Sequence, residues 1–215
     1  MTERGVLLWI HGGGWRGRSE EDGSALARLG LRVVPATYRF VDEARWPAQL
    51  DDVRRAARAA RAAAGGLPLL VGGDSAGGTL ALHLTLRGVD RPDDVAAGLA
   101  YWAASDPLAG EWRRLRADDD PWAGLLGHRP AAGDPATVDS TVASHLGNRV
   151  PVLLVHGGDD RAVPVAQSVA LAGALLAAGH PAHTWITHGG HALPLDRPDV
   201  LAATAAFLDT VLPPG

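Results

Sequence analysis

The stretch Leu69–Leu84, LLVGGDSAGGTLALHL, runs from an apolar strand through Gly72, Gly73, Asp74, Ser75, Ala76, Gly77 and Gly78 directly into a helical pattern. Glycine loses more backbone freedom on folding than any other residue, so it weakens both elements it interrupts. Glycines gathered around one hydroxyl therefore mark a place where the backbone does something a Cβ would forbid. Residues Gly73 to Gly77 read G-x-S-x-G, and between a strand and a helix that spacing makes a sharp turn whose serine holds strained dihedrals. The turn presents Ser75 above the C-terminal edge of a sheet and aims the Ala76 N–H at the place an oxyanion would form. The following helix adds the positive end of its dipole. Alone, the motif is moderately specific, since a tight turn with an idle serine also satisfies it.

The rest of the chain says which fold would hold such a turn. Val6–Ile10, Arg32–Thr37, Leu67–Gly72, Val95–Trp102 and Val150–His156 read as buried strands, and Ala182–Thr187 as a further one. Between them Ser19–Leu29, Ala48–Ala64, Ser75–Arg87, Val165–Ala178 and Pro198–Val211 carry helical spacing. Pro164 and Pro198 stand where a first-turn proline starts a helix, and Gly179 where a glycine ends one. This alternation predicts an α/β fold, a mostly parallel doubly wound sheet in a single domain over residues 1–215. Residues 106–147, rich in Asp, Pro, Gly, Arg and Trp, fit no strand–helix unit and are a candidate cap or insertion.

Composition removes several classes of function. The net charge is −4 without a basic run, which argues against nucleic acid as a partner. The absence of cysteine excludes disulfides, thiolate metal sites and cysteine nucleophiles. No apolar run reaches the length of a secretory signal or a membrane span, so the expectation is a cytoplasmic protein with no membrane partner.

A second motif, HGGGW at His11–Trp15, follows the first strand. Successive glycines leave N–H groups unshielded, and two of them could join Ala76 in stabilising an alkoxide. A phosphate cradle would instead read G-x-G-x-x-G or end in Gly-Lys-Ser/Thr, and neither occurs. A serine nucleophile needs a base, and the base an orienting acid. Asp159 and Asp160 follow one late strand, and His188 and His191 the next, so a choice within each pair stays open. His83, on the apolar helix after Ser75, reads as a packed core histidine.

With these residues in view, the chain resembles the hormone-sensitive-lipase-like esterase group of the α/β-hydrolases. HGGGW is similar to that group's oxyanion-hole motif, GDSAGG to its nucleophile elbow, and ATYRF…ARWPAQLDDV to its Tyr-Arg segment and the helix entry after it. HGGDDRAVP resembles its H-G-x-x-D-x-x-V-P, which implies Asp160 as the acid, and GGHALP implies His191 as the base. The resemblance further implies oxyanion donors at Gly13, Gly14 and Ala76, no metal and no organic cofactor. Family members usually carry strands and often a cap before the oxyanion-hole strand, whereas here that strand starts near Gly5. The expected sheet is therefore shortened at the N-terminus to about six strands, with Arg32–Thr37 at its edge. Pro35 suits an edge because proline cannot donate to a ladder.

These readings lead to a serine carboxylesterase acting on a small-molecule ester with a short acyl chain. Trp15, Trp112 and Trp122 are candidate substrate-binding residues. The rivals are an amide, formamide, lactone or peptide hydrolase, an acyl-transfer enzyme with the same triad, and a non-catalytic binding protein. A monomer is favoured over a dimer, because Pro35 removes a donor from the exposed edge.

Overall fold

Six parallel strands form one sheet in the computed structural model, which describes residues 3–91 and 94–213. The strands are β1 (Gly5–Ile10), β2 (Leu31–Ala36), β3 (Leu69–Asp74), β4 (Ala97–Tyr101), β5 (Val152–Gly157) and β6 (Ala182–Thr187). Their spatial order is β2-β1-β3-β4-β5-β6. In a sheet covered on both faces every strand residue meets an apolar layer, which explains why these strands read as unbroken apolar runs rather than alternating ones. Each residue of β1 and of β3 to β5 is buried.

Alternate residues still face opposite layers. Val6, Leu8 and Ile10 pack with Leu50, Val53 and Ala57 of α1 (Ala48–Ala62) and with Leu80, Ala81 and Leu84 of α2 (Ser75–Arg87). Leu7 and Trp9 face the other way, toward Leu26 and toward Val200, Phe207 and Leu208 of the C-terminal helix Pro198–Val211. The helix Ala166–Ala177 completes the α2 side through Leu171 and Leu175. Among the described residues no helix is long and apolar enough to cross a membrane.

Several expectations about elements need correction. Leu67–Gly72 shifts to Leu69–Asp74, and Arg32–Thr37 is the strand Leu31–Ala36, half-buried or exposed between its end residues because it lies at the sheet edge. Ser19–Leu29 is helical only as a short 3₁₀ segment, Ser24–Leu29, because Gly23 takes a left-handed φ of 72° and Ser19 spends its hydroxyl on Asp74. Ala182–Thr187 is a strand but not a buried one: β6 closes the sheet, and Trp185 and Ile186 are exposed. Val95–Trp102 and Val150–His156 shorten at their starts to Ala97 and Val152. Segment 106–147 holds three short helices, α3 (Gly110–Leu115), α4 (Pro121–Leu126) and α5 (Pro135–Ser140), followed by a 3₁₀ turn, Val142–His145. Asp120 and Asp134 cap α4 and α5, each accepting a backbone N–H two or three residues on, with proline in the first turn. The two long helices that follow β5 and β6 are accordingly α6 (Ala166–Ala177) and α7 (Pro198–Val211).

This segment, the candidate insertion, is fastened to α2. Arg87, in the last turn of α2, donates to the Asp139 carboxylate at 3.0 Å and to His145 Nε2 at 2.6 Å. His83, fully buried on the same helix, accepts from Arg87 Nε at 3.2 Å and contacts the Ser140 carbonyl at 3.1 Å. Burial, with Arg87 alongside, holds His83 well below the ordinary histidine pKa. It is a packed core histidine, as its place on the apolar helix predicts.

Candidate active site

The chain steps from β1 out to β2 and then back across to β3. The carboxyl ends of β1 and β3 therefore flank the point where strand order reverses, which is where open parallel sheets form ligand crevices. β1 exits into His11-Gly12-Gly13-Gly14-Trp15 and β3 into Ser75.

Ser75 opens α2 with φ +49°. Non-glycine residues at positive φ are uncommon and strained. The described chain has four, Trp15, Ser75, Trp102 and Ala192, and three of them line one cavity. Ser75 Oγ lies 3.2 Å from His191 Nε2, and His191 Nδ1 lies 2.7 Å from Asp160 Oδ2. A carboxylate only accepts, so Nδ1 donates to Asp160, which leaves Nε2 as the ring nitrogen facing the serine hydroxyl.

Asp160 is held by more than one histidine. Its side chain is fully buried, and Oδ1 accepts the N–H groups of Ala162 at 2.7 Å and Val163 at 2.9 Å. Oδ2 is shared between His191 and His156 Nε2, the latter at 3.2 Å. Burial alone would push this carboxyl up, but the bonds from His156, His191 and the loop N–H groups outweigh it and hold Asp160 well below the usual carboxylate range. His156 is in turn fixed by Ser168 Oγ at 2.7 Å and the Val163 carbonyl at 3.0 Å. Asp159 is exposed and accepts from Gly189 N–H at 3.3 Å. His188 is exposed, and its carbonyl accepts from Arg197 at 2.8 Å. The structure thus brings Asp160 and His191, rather than Asp159 and His188, to Ser75.

The HGGGW loop is pinned to the elbow from two sides. Gly12 N–H donates to Asp74 Oδ1 and to Ser19 Oγ, both at 2.8 Å, and Ser19 Oγ donates to Asp74 at 3.0 Å. Tyr38 stacks on His11 with ring centroids 4.5 Å apart and donates its hydroxyl to the His11 carbonyl at 3.0 Å. Asp74 is buried, and desolvation pushes its carboxyl up to about 6 against the opposing bonds from Gly12 and Ser19. Gly13 and Gly14 have φ of 108° and 62°, values that suit glycine. Among the described residues neither of their N–H groups has an acceptor. Both residues line the cavity with Ala76, Ser75 and His191.

That cavity holds about 270 Å³, and its remaining wall is mainly apolar, from Trp15, Ala104, Trp112, Pro121, Val163 and Ala192. Trp112 and Pro121 belong to the insertion, so the insertion supplies part of the wall. Trp122 does not, contrary to the expectation from sequence. It is fully buried behind the wall, edge-on to Trp15 at 5.1 Å and to Trp112 at 5.3 Å, and its Nε1 donates to Ser140 Oγ. The Asp120 cap and Pro121 set the α4 start so that its first turn faces inward, and the tryptophan next in line packs into the core.

Three contributors to this site had no separable signal in the sequence. They are His156 as a second partner of Asp160, Ser19 as an anchor of the glycine loop, and Arg116, which reaches the cavity from the insertion. Arg116 comes from far along the chain, whereas Ser19 is seven residues from Gly12 and His156 only four from Asp160; what the string of residues does not show is that these loops turn the side chains toward one another.

Comparison with known proteins places the chain. Residues 2–175 match the family model BD-FAE. The versiconal hemiacetal acetate esterase of Aspergillus parasiticus is 39% identical over 108 residues, 48% of this chain and 34% of that protein. The probable carboxylic ester hydrolase LipM of Mycobacterium tuberculosis is 31% identical over 185 residues, 76% of this chain and 43% of that protein. The chain thus spans well under half the length of these curated relatives. Among solved structures, a truncated carbohydrate esterase from gut microbiota superimposes with TM-score 0.84 at 21% identity, covering 98% of this chain and 86% of that one. A thermophilic esterase of the Planctomycetes species Thermogutta terrifontis superimposes with TM-score 0.75 at 20% identity, covering 100% and 86%. These structural likenesses carry the fold, and the family match carries the kinship: the chain belongs to the BD-FAE family of hormone-sensitive-lipase-like α/β-hydrolases.

Proposed function

We propose that the protein is a serine carboxylesterase in which Ser75 is the nucleophile, His191 the general base and acid, and Asp160 the residue that orients His191. The observation that carries the reading is the unbroken line of contacts Ser75–His191–Asp160 opening on a cavity with unpaired N–H groups. His191 Nε2 takes the Ser75 proton as Oγ bonds to the ester carbon, and the carbonyl electrons move onto oxygen. Gly13, Gly14 and Ala76 N–H groups receive that oxyanion. The tetrahedral adduct collapses, the C–O bond to the alcohol breaks, and His191 returns its proton to the leaving oxygen. Water, deprotonated by His191, then attacks the acyl-enzyme and regenerates Ser75. The names of the two curated relatives, both ester hydrolases, support the same bond type.

The acyl group is short. Each buried methylene gains only about 0.8 kcal/mol, and only where a wall receives it. The cavity of about 270 Å³ has to hold both the reacting carbonyl and its substituents. In this reading residues 106–147 act as the cap, and Trp15 and Trp112 contact the substrate. The test is a series of 4-nitrophenyl esters from acetyl to octanoyl, with matched anilides, run on the wild type and Ser75→Ala. The expected result is a maximum of kcat/KM near butyryl, slow anilides and an inactive Ser75→Ala. Efficient anilide cleavage with silent esters would replace esterase by amidase. Preference for octanoyl would refute the short-chain assignment.

A further inference from the structure

The apolar cavity over Ser75 has one cationic side chain in its wall, Arg116, and that residue also lines a second, smaller cavity of about 60 Å³. The second cavity is polar in its side chains: Arg113, Arg116 and Arg129 face it with a single carboxylate, Asp120. No carboxylate lies within 4.0 Å of any of the three guanidiniums among the described residues, whereas the neighbouring Arg16 pairs with Asp119 and Arg114 with Glu111. Asp120 Oδ1 is already used, accepting Trp112 Nε1 at 3.2 Å and the Trp122 N–H at 2.9 Å. Asp106 Oδ1 likewise accepts the Leu108 N–H. Three guanidiniums against the one Asp120 carboxylate leave the cavity with an excess of positive charge that, among the described residues, no ion pair neutralises.

Arg116 is also held still. Its Nε and Nη2 donate to the Ala162 carbonyl at 3.1 and 2.5 Å, and its guanidinium lies 5.6 Å from the Trp112 ring centroid. Arg129 is tied to the Ala117 carbonyl at 3.0 Å. A carbonyl neutralises no charge, so these bonds orient the cations without satisfying them, and Arg116 keeps Nη1 as a spare donor. A rigid guanidinium with free N–H groups is matched to a planar carboxylate, and pre-orientation removes the ordering cost of binding. We propose that the substrate carries a carboxylate, which Arg116, backed by Arg113 and Arg129, receives from the small cavity while the ester carbonyl sits at Ser75. The protein would then select half-esters of dicarboxylic acids, or esters of hydroxy acids, over uncharged esters of the same size.

The inference rests on the esterase reading, and its test separates the two. Wild-type protein is assayed on 4-nitrophenyl hemisuccinate, hemiglutarate and hemiadipate, each beside its uncharged methyl diester. The ratio of the two kcat/KM values within one protein cancels differences in folding or active fraction. One or more chain lengths should favour the carboxylate by about tenfold, the size expected of a charge-assisted bidentate contact. Raising the salt should erode the preference. Arg116→Ala and Arg129→Ala should lower the ratio toward one, chiefly through KM, and Arg116→Lys should restore it only in part because lysine lacks the planar fork. Brisk cleavage of the uncharged esters with no preference at any length overturns the carboxylate proposal and leaves the esterase reading standing. Calorimetry of glutarate on Ser75→Ala reads binding without turnover. Binding that weakens in Ser75→Ala/Arg116→Ala, together with no hydrolysis of any ester, overturns the esterase reading alone.

Discussion

Gly77 lies so close to Ile10 that a Cβ at position 77 would stand 2.0 Å from the Ile10 carbonyl oxygen. That contact is between backbones, at the turn into α2 and the end of β1, so neither side can move a flexible group aside. Gly77→Ala should therefore separate the Ser75 turn from the glycine loop and destabilise the protein by several kcal/mol, at or above the upper end of about 1–3 kcal/mol usual for overpacking. Gly17→Ala, with nothing within 4 Å of the added carbon, is the control and should change little. Thermal unfolding of the two variants decides it, and a Gly77→Ala protein as stable as wild type would refute the account.

Asp160→Asn and Asp159→Asn should differ by orders of magnitude in turnover. Asparagine preserves shape, but its N–H₂ can donate to His191 Nδ1 and favour the tautomer that cannot take the Ser75 proton, a change worth about 10⁴ in a well-studied serine protease. Asp159 is exposed, and its carboxylate accepts the Gly189 N–H. Ser75→Ala and His191→Ala should each approach the same floor, and the double variant should fall no further, because the groups act as a unit. A fluorophosphonate should label the Ser75 peptide once.

Asp74 gives a stability profile of defined sign. Its folded-state carboxyl is raised to about 6, above the unfolded value, so its contribution is fully present below about pH 4 and is lost as pH rises through 6. The loss amounts to roughly 2–3 kcal/mol. Asp74→Asn keeps an acceptor for the Gly12 N–H but cannot ionise. Its melting temperature should therefore gain on that of wild type between pH 5 and 7.5. A difference that is flat across that range would show that Asp74 ionises freely. Asp160 works in the opposite direction: its lowered carboxyl stabilises above pH 4, and that stability is lost under stronger acid.

Trp122→Phe should lower stability and leave KM for small neutral esters in place, since the indole is fully buried behind the cavity wall. Trp112→Phe, on the wall itself, should shift KM. The measurement is a paired one, melting temperature beside Michaelis kinetics, and a KM change confined to Trp122 would return that residue to the binding surface.

An edge at β2 leaves Pro35 facing outward with no N–H to give. The expected hydrodynamic mass is that of a monomer. A dimer joined across β2 would show that one missing donor is too weak a deterrent.

How far the sequence could be read follows from the range of each interaction. The strand–helix order is legible because strands buried on both faces are apolar throughout, whereas the edge position of Arg32–Thr37 follows from likeness to the family's strand order, with which Pro35 is compatible. Ser75 stood out because a strained turn needs glycine beside it, and that need is local. The choice of Asp160 over Asp159 came from motif likeness and not from spacing, since which neighbour points inward depends on a loop closed by Ala162 and Val163. Trp122 was misplaced because tryptophan serves a pocket wall and a core equally well. Only the packing of Trp15 and Trp112 against it decides which. Arg116 gave no signal at all: its distinction lies in the carboxylates it lacks, which a string of residues containing three successive aspartates conceals.

The insertion is clamped at both ends, by Arg87 to Asp139 and His145 on the α2 side and by Arg116 to Ala162 on the acid loop. A segment moored in this way is a fixed lintel rather than a door. Catalysis should then show no lag on mixing and simple hyperbolic saturation by dissolved substrate. It should show no jump in rate when substrate passes its solubility limit and begins to form droplets, because the segment over the cavity is already tied at both ends and does not wait for an oil–water surface to lift it.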